Sequence, residues 1–233
     1  QGGGACWSDF CLAVKWPSEG VPVVEALDET NPSNPMADWN VVYLPYCDGS
    51  LFAGDADIDE DGDGEPDRLH RGLQNLSGVL RTVRTVYPDP TQVLVTGSSA
   101  GAFGTIPASM LVRATYPETR LQIFNDSGVG VARAGEPEFI NRILDEHGIT
   151  PLIPQGCEAC SEDGHITRLV RWILERDTEL EIATFSALHD SVMTDIFLQI
   201  EPTAFEQAVL EETGRLHELF PDRYRRFLIR GKE

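Results

Sequence analysis

The chain has 233 residues, which is enough for one large domain with a substantial core. Its 18 Lys and Arg stand against 38 Asp and Glu, giving a formal net charge of −20 that repels nucleic-acid backbones and anionic membrane surfaces. The sequence also contains no apolar stretch long enough to span a bilayer. We therefore expect neither nucleic acid nor a membrane as a partner.

The predicted elements alternate between strands and helices. In chain order, strands are predicted at 39–46, 93–96, 121–124, 180–185 and 224–230. Helices are predicted at 76–87, 102–112, 138–147, 166–176 and 203–219. The residues before the first strand are predicted to form a glycine loop, Gly2-Gly3-Gly4. This alternation is typical of a mostly parallel sheet with flanking helices, and we expect a single α/β domain over 1–233.

The most informative motif is Gly97-Ser-Ser-Ala-Gly101, which follows directly on the β-branched run from Val93 to Thr96. In a strand-to-helix elbow of the Gly-x-Ser-x-Gly type, the central serine sits on a strained turn that exposes its hydroxyl. Small neighbours allow the strand and the helix to approach each other there. Ser99 is therefore the predicted nucleophile, the alternative being a Gly-rich turn without a catalytic role.

An acyl-transfer serine also needs amide donors for the oxyanion, a base and an acid. The elbow geometry assigns one donor to the amide of Ala100, and a Gly-rich loop such as Gly2-Gly3-Gly4 is typical of the other. The alternative for that loop is a flexible terminal linker.

Two acidic residues follow predicted strands downstream of the nucleophile. Asp190 is favoured over Asp126 because it follows the later strand, at the edge where a wound sheet places its functional loops. Asp126 also fits a simple turn-forming role. None of the five histidines follows the final strand, where a sheet of this type carries its base, so we expect the base beyond Glu233.

Acidic residues recur over Asp59-Glu-Asp-Gly-Asp-Gly-Glu-Pro-Asp67 at a spacing that suits a calcium loop. The predicted ligands are Asp59, Asp61, Asp63 and Asp67, with a structural rather than a catalytic ion. An acidic, solvated loop is the alternative. No cofactor is expected for catalysis.

Five cysteines occur as two closely spaced pairs and a single residue. Cys6 with Cys11 and Cys157 with Cys160 indicate disulfides and an oxidising, extracytoplasmic compartment. A zinc site at Cys157-x-x-Cys160 is the alternative for the second pair. Cys47 is predicted to be a buried thiol.

Several of these segments, taken in order, resemble the pectin acetylesterase/Notum family of secreted serine carboxylesterases. The matching segments are Gly-Gly-Gly-Ala-Cys-Trp at 2–7, Trp-Asn-Val-Val-Tyr-Leu-Pro-Tyr-Cys-Asp-Gly at 39–49, His-Arg-Gly at 70–72, Gly-Ser-Ser-Ala-Gly at 97–101 and Asp-Ser-Gly at 126–128. The likeness is looser after about residue 130, where Leu-His-Asp-Ser at 188–191 is similar to the segment that bears the family's acid.

The resemblance implies an α/β-hydrolase fold and the removal of acyl groups from hydroxyls. It implies Ser99 as nucleophile, Gly3, Gly4 and Ala100 as oxyanion donors, Asp190 as acid, and a Cys6–Cys11 disulfide near the oxyanion hole. The chain departs from the family pattern at Ala102, in an acidic insertion at 55–67 and in the unmatched histidine. It resembles a family domain trimmed at both ends.

The sequence thus predicts a secreted carboxylic-ester hydrolase that acts through an acyl-enzyme on an acetylated polysaccharide or another small acyl ester. The alternative is a catalytically inactive module that binds acylated glycans or lipids.

Overall fold

A computed structural model describes residues 3–8, 10–14, 28–157 and 159–232 of the chain. Within these described ranges, eight strands form two hairpins and one larger sheet. The hairpin strands are β1 (Gly3–Trp7) with β2 (Phe10–Val14), and β3 (Ala56–Ile58) with β4 (Arg68–His70). The sheet strands are β5 (Gln92–Ser98), β6 (Arg120–Asp126), β7 (Glu181–His189) and β8 (Tyr224–Lys232).

The larger sheet is parallel throughout, with its strands in sequence order. Parallel neighbours need crossover connections, and helices supply them. In chain order the helices are α1 (Gly72–Val86), α2 (Ala100–Thr115), α3 (Pro137–Glu146), α4 (Thr167–Arg176) and α5 (Pro202–Leu219). A 3-10 turn covers Thr150–Leu152 and a π-type helix covers Val192–Leu198. The predicted α/β architecture is confirmed, and it is that of an α/β-hydrolase-like fold.

The main core lies between the sheet and the helices packed on it. Leu121 and Ile123 on β6 and Ile182 on β7 point to the same face, because alternate side chains of a strand share a face. Helix α2 packs on β5 and β6, and α5 packs on β7 and β8. This packing fixes the start of α2 at the carboxyl edge of the sheet, where β5 ends.

Two local predictions are wrong. The predicted strand at 39–46 is absent, since these residues form neither strand nor helix, and Val41 and Val42 are 45% and 49% exposed. An apolar run becomes a strand only where a neighbouring strand pairs with it, and a local pattern does not report such a neighbour. The expected glycine loop is also wrong in its described part, because Gly3 and Gly4 belong to β1 and pair with β2.

Among the described residues, no helix has both the length and the apolar character needed to cross a membrane.

Candidate functional site

Ser99 occupies the sharp turn between β5 and α2. Its φ of 54° and ψ of −120° lie in a region that non-glycine residues rarely adopt. Its N–H donates to the carbonyl of Asp126 at 2.9 Å, and its own carbonyl accepts the N–H of Ala102 at 2.9 Å. The strained turn is thus held from both sides, as a nucleophile elbow requires.

Gly97 permits this turn by its lack of a side chain. A Cβ on Gly97 would lie 2.9 Å from Cα of Gly101 and still closer to the Gly101 carbonyl. The end of β5 and the first turn of α2 therefore touch backbone to backbone. A Cβ on Gly101 would meet only the ring edge of Phe52, at an ordinary 3.7 Å.

Strand β1 runs beside the Ser99 side chain. A Cβ on Gly3 would lie 3.5 Å from Oγ of Ser99, so a substrate carbonyl bound at that hydroxyl would meet bare backbone. Cys6 donates its N–H to the carbonyl of Gly49 at 3.0 Å, which places the Cys6 amide on the edge of β1 that faces away from β2.

The amides of an antiparallel strand alternate between its two edges. The Gly4 amide therefore points to the same outer edge as the Cys6 amide, while the Gly3 amide faces Val14 across the hairpin. This alternation favours Gly4 over Gly3 as an oxyanion donor. Gly3, which has no side chain, then leaves room for the substrate beside the Ser99 hydroxyl. The other predicted donor, the amide of Ala100, lies in the first turn of α2, where N–H groups have no partner within the helix.

An apolar cavity opens beside Ser99. It encloses about 1020 Å³, including the part open to solvent, and Gly4, Ser99 and Ala100 lie on its wall. The rest of the wall is almost wholly apolar, with side chains that include Ile106, Met110, Phe139, Ile143, Leu152 and Phe197. Such a cavity suits a hydrocarbon group attached to the carbonyl that Ser99 would attack.

Both predicted acids lie at the carboxyl edge of the sheet. Asp190 follows β7 directly and is 3% exposed, and its Oδ1 accepts the N–H of Met193 at 2.9 Å. Met193 lines the cavity, so the Asp190 carboxylate also holds part of the cavity wall. Asp126 ends β6, is half-buried and accepts the Ser127 hydroxyl at 3.0 Å.

The five histidines all have contacts away from the elbow. These are His70 against the ring of His147, His147 with the carbonyl of Cys6, His165 with the amide of Ala132, His189 with Glu206, and His217 with the carbonyl of Tyr224. Burial lowers the pKa of His147 to about 4 and also lowers the pKa of His70 and of His165. Within the described residues, none of these rings is hydrogen-bonded to Ser99, and the base beyond Glu233 stays a prediction.

The acidic loop lies between β3 and β4. Asp59, Asp61 and Asp67 each place a carboxylate oxygen within 4.8 Å of the others, and all three are exposed. Asp63 lies outside this group, and its Oδ1 accepts the N–H of Glu65 at 2.8 Å. Three of the four predicted ligands thus come together, and calcium stays a prediction.

The two predicted disulfides are present, Cys6 with Cys11 and Cys157 with Cys160. The second disulfide leaves no thiolates at this pair for the alternative zinc site. Cys47 is exposed and accepts a hydrogen bond from Nδ2 of Asn75, so the prediction that it is buried is wrong. Its neighbour Tyr46 takes the buried position instead, because its ring packs on Phe52.

Three residues important to the site's geometry were not singled out from the sequence. Asn125 donates to the carbonyl of Ala102 at 2.8 Å and so braces the elbow helix against the end of β6. Tyr46 and His147 donate to backbone carbonyls of β1. Only Tyr46 lies inside a motif segment, and each of the three residues contacts a partner that lies far away in sequence.

Fold and elbow together define the class of this protein, an α/β-hydrolase-like protein with a serine at its strand-to-helix elbow. A family model described as pectinacetylesterase matches residues 18–164, which is more than half of the chain. The chain belongs to the pectinacetylesterase family, which implies carboxylesterase activity. Ser99 and the acidic loop lie within the matched segment, whereas β1 and Asp190 lie outside it. A search of curated protein sequences finds no match.

Proposed function

We propose that this protein is a serine carboxylesterase that cleaves an ester through an acyl-enzyme on Ser99. The observation that carries the proposal is the strained elbow with the bare backbone of β1 beside the Ser99 hydroxyl. A base, predicted beyond Glu233, takes the Oγ proton as Oγ attacks the ester carbonyl carbon, and the resulting oxyanion accepts hydrogen bonds from the amides of Gly4 and Ala100. Collapse of this intermediate breaks the bond to the alcohol oxygen, and the base returns the proton to the leaving alcohol. Water then gives a proton to the base, attacks the acyl carbon and releases the acid, and Ser99 regains its proton.

Asp190 is the proposed acid that orients the base. It stands directly after β7, its carboxylate is buried, and its partner Met193 shares a cavity with Ser99. A buried carboxylate next to the substrate cavity suits the stabilisation of an imidazolium during proton transfer. Asp126 is more exposed and already accepts a hydroxyl from its neighbour Ser127.

The cavity supports an acyl group that is apolar and longer than acetyl. An acetyl group at Ser99 is too short to contact most of the apolar side chains that line the cavity. Each methylene that leaves water for this wall contributes about 0.8 kcal/mol, or roughly fourfold in affinity. The sequence-based expectation of an acetyl or other small acyl group stays a prediction, and an ester series separates the two cases.

The test measures hydrolysis of p-nitrophenyl acetate, butyrate and octanoate by the native full-length protein and by its variants Ser99→Ala and Ser98→Ala, the second being the matched control. We expect Ser99→Ala to lose at least about 10³-fold in kcat, as nucleophile removal does in enzymes of this type. Ser98 is an exposed residue at the end of β5, so Ser98→Ala should retain activity. Equal rates for the wild type and Ser99→Ala would refute the nucleophile assignment.

An inactive binding module is the second candidate, and the contacts of the five histidines favour it. It predicts no Ser99-dependent turnover but saturable binding of octanoate, measured by calorimetry. Turnover that disappears in Ser99→Ala excludes it.

A further inference from the structure

Two residues of β1, Gly4 and Cys6, present their backbone to the outer edge of the strand. Each contributes one N–H and one carbonyl, which makes four polar groups. Three of them have partners outside the hairpin. The Cys6 N–H donates to Gly49 at 3.0 Å, His147 Nε2 donates to the Cys6 carbonyl, and the Tyr46 hydroxyl donates to the Gly4 carbonyl at 2.9 Å. The fourth group is the Gly4 N–H, the proposed oxyanion donor.

Tyr46 is a rigid link rather than a loose contact. Its ring is 2% exposed and packs on Phe52 with ring centroids 4.8 Å apart. Its hydroxyl donates to Gly4 and at the same time accepts the N–H of Leu51 at 3.0 Å. Burial raises the pKa of Tyr46, so the hydroxyl keeps its proton and remains a donor throughout the neutral and alkaline range in which esterases are assayed.

Gly4 needs such a hydrogen bond because a glycine backbone has no intrinsic preference for the φ value found here. Its φ is 83°, a value that glycine adopts about as readily as the corresponding negative values. Rotation about φ changes the direction of the Gly4 N–H relative to its carbonyl. A hydrogen bond that fixes the carbonyl therefore selects the backbone state in which the amide is presented at the outer edge.

We propose that Tyr46 is a positioning residue for the oxyanion hole, holding Gly4 through its carbonyl so that the Gly4 amide points toward the carbonyl of the substrate. This inference rests on the proposed function at Ser99. It assigns Tyr46 no contact with substrate, so its effect belongs to the transition state and not to ground-state binding.

The experiment compares Tyr46→Phe with Tyr116→Phe. Tyr116 is a matched control because it is 4% exposed and its hydroxyl also donates to a backbone carbonyl, that of Tyr87 at 2.8 Å. It lies just past the far end of α2, about 24 Å along the helix from Ser99. Each substitution removes one buried hydroxyl and leaves one carbonyl without its donor, and Tyr46→Phe also leaves the Leu51 N–H without its acceptor. Both should therefore lower the melting temperature, Tyr46→Phe by more.

For Tyr46→Phe we expect kcat to fall 10- to 100-fold with KM within twofold, since loss of a whole oxyanion donor costs about 10²- to 10³-fold. The affinity for an alkyl boronic acid, which forms a tetrahedral adduct with the serine, should fall by the same factor as kcat/KM. Tyr116→Phe should change neither quantity. If Tyr46 had a purely structural role, Tyr46→Phe would lower the melting temperature, as Tyr116→Phe does, but would leave kcat and the boronate affinity unchanged.

The outcomes separate the two proposals. Unchanged kcat in Tyr46→Phe, in an enzyme whose turnover depends on Ser99, overturns this inference alone. Equal losses in Tyr46→Phe and Tyr116→Phe also overturn it, because the effect would then not depend on Gly4. Absence of Ser99-dependent turnover in the wild type overturns the proposed function and this inference with it.

Discussion

Gly97→Ala tests whether the close approach of β5 and α2 is required for the elbow. The new Cβ would lie 2.3 Å from the carbonyl oxygen of Gly101, whereas ordinary contact begins at 3.4 Å, so strand and helix must separate by about 1 Å. The obstacle is backbone, which cannot rotate away as a side chain can. Overpacking of this kind costs about 1–3 kcal/mol, which lowers the melting temperature by roughly 2–12 °C in a chain of this size.

Activity should fall more steeply than stability, since a displacement near 1 Å at a nucleophile can cost about 10²-fold in rate. Gly101→Ala is the matched control, because its Cβ meets only Phe52 at 3.7 Å and alanine favours a helix by up to about 1 kcal/mol. The measurements are calorimetric melting and hydrolysis of p-nitrophenyl butyrate. The reasoning is refuted if Gly97→Ala melts and turns over like the wild type, or if Gly101→Ala is the more damaged variant.

Two further predictions concern protons and calcium. Burial holds the pKa of His147 at about 4, below its unfolded value of about 6.5, so the unfolded chain binds the extra proton and stability falls as pH drops through this range. Between pH 7 and pH 5 this one group lowers the free energy of unfolding by about 2 kcal/mol. The free energy of unfolding of His147→Gln, measured with urea, should therefore depend less on pH than that of the wild type. Identical pH dependence in the two proteins would contradict this prediction. The cluster of Asp59, Asp61 and Asp67 predicts that calcium at about 100 times its Kd raises the free energy of unfolding by about 2.7 kcal/mol, and that Asp59→Asn abolishes the effect. A melting temperature that chelator leaves unchanged would count against a bound ion.

The region from β5 to α2 was predictable because its signals are local. The β-branched run, the small residues and the apolar helix all lie within 93–112, and each agrees with the structure. Sequence reasoning did not distinguish the roles of the small residues. Gly97 is required by a backbone contact, whereas Gly101 has room for a side chain, and only the packed structure separates the two.

The contacts of β1 were not predictable in the same way. Gly4 and Tyr46 are joined across 42 positions, and Cys6 and His147 across 141. No periodicity or motif reports a partner at such separations. The glycines of 3–4 indicated a loop, although the spacing of Cys6 and Cys11, which lie opposite each other in the hairpin, was a usable signal for paired strands.

The location of the proposed oxyanion donor outside the main sheet affects how the protein would lose activity. Gly4 belongs to a two-stranded hairpin, and Ser99 is built into the large sheet and its helix. The hairpin is joined to the rest of the protein by edge hydrogen bonds and by the packing of Ala5 and Trp7, and such a two-stranded element can open in a subglobal step while the large sheet stays folded. Inactivation by denaturant would then precede the loss of helical signal. Residual activity would report the local equilibrium of strands β1 and β2, and amide hydrogen exchange in the large sheet would be the proper measure of global stability.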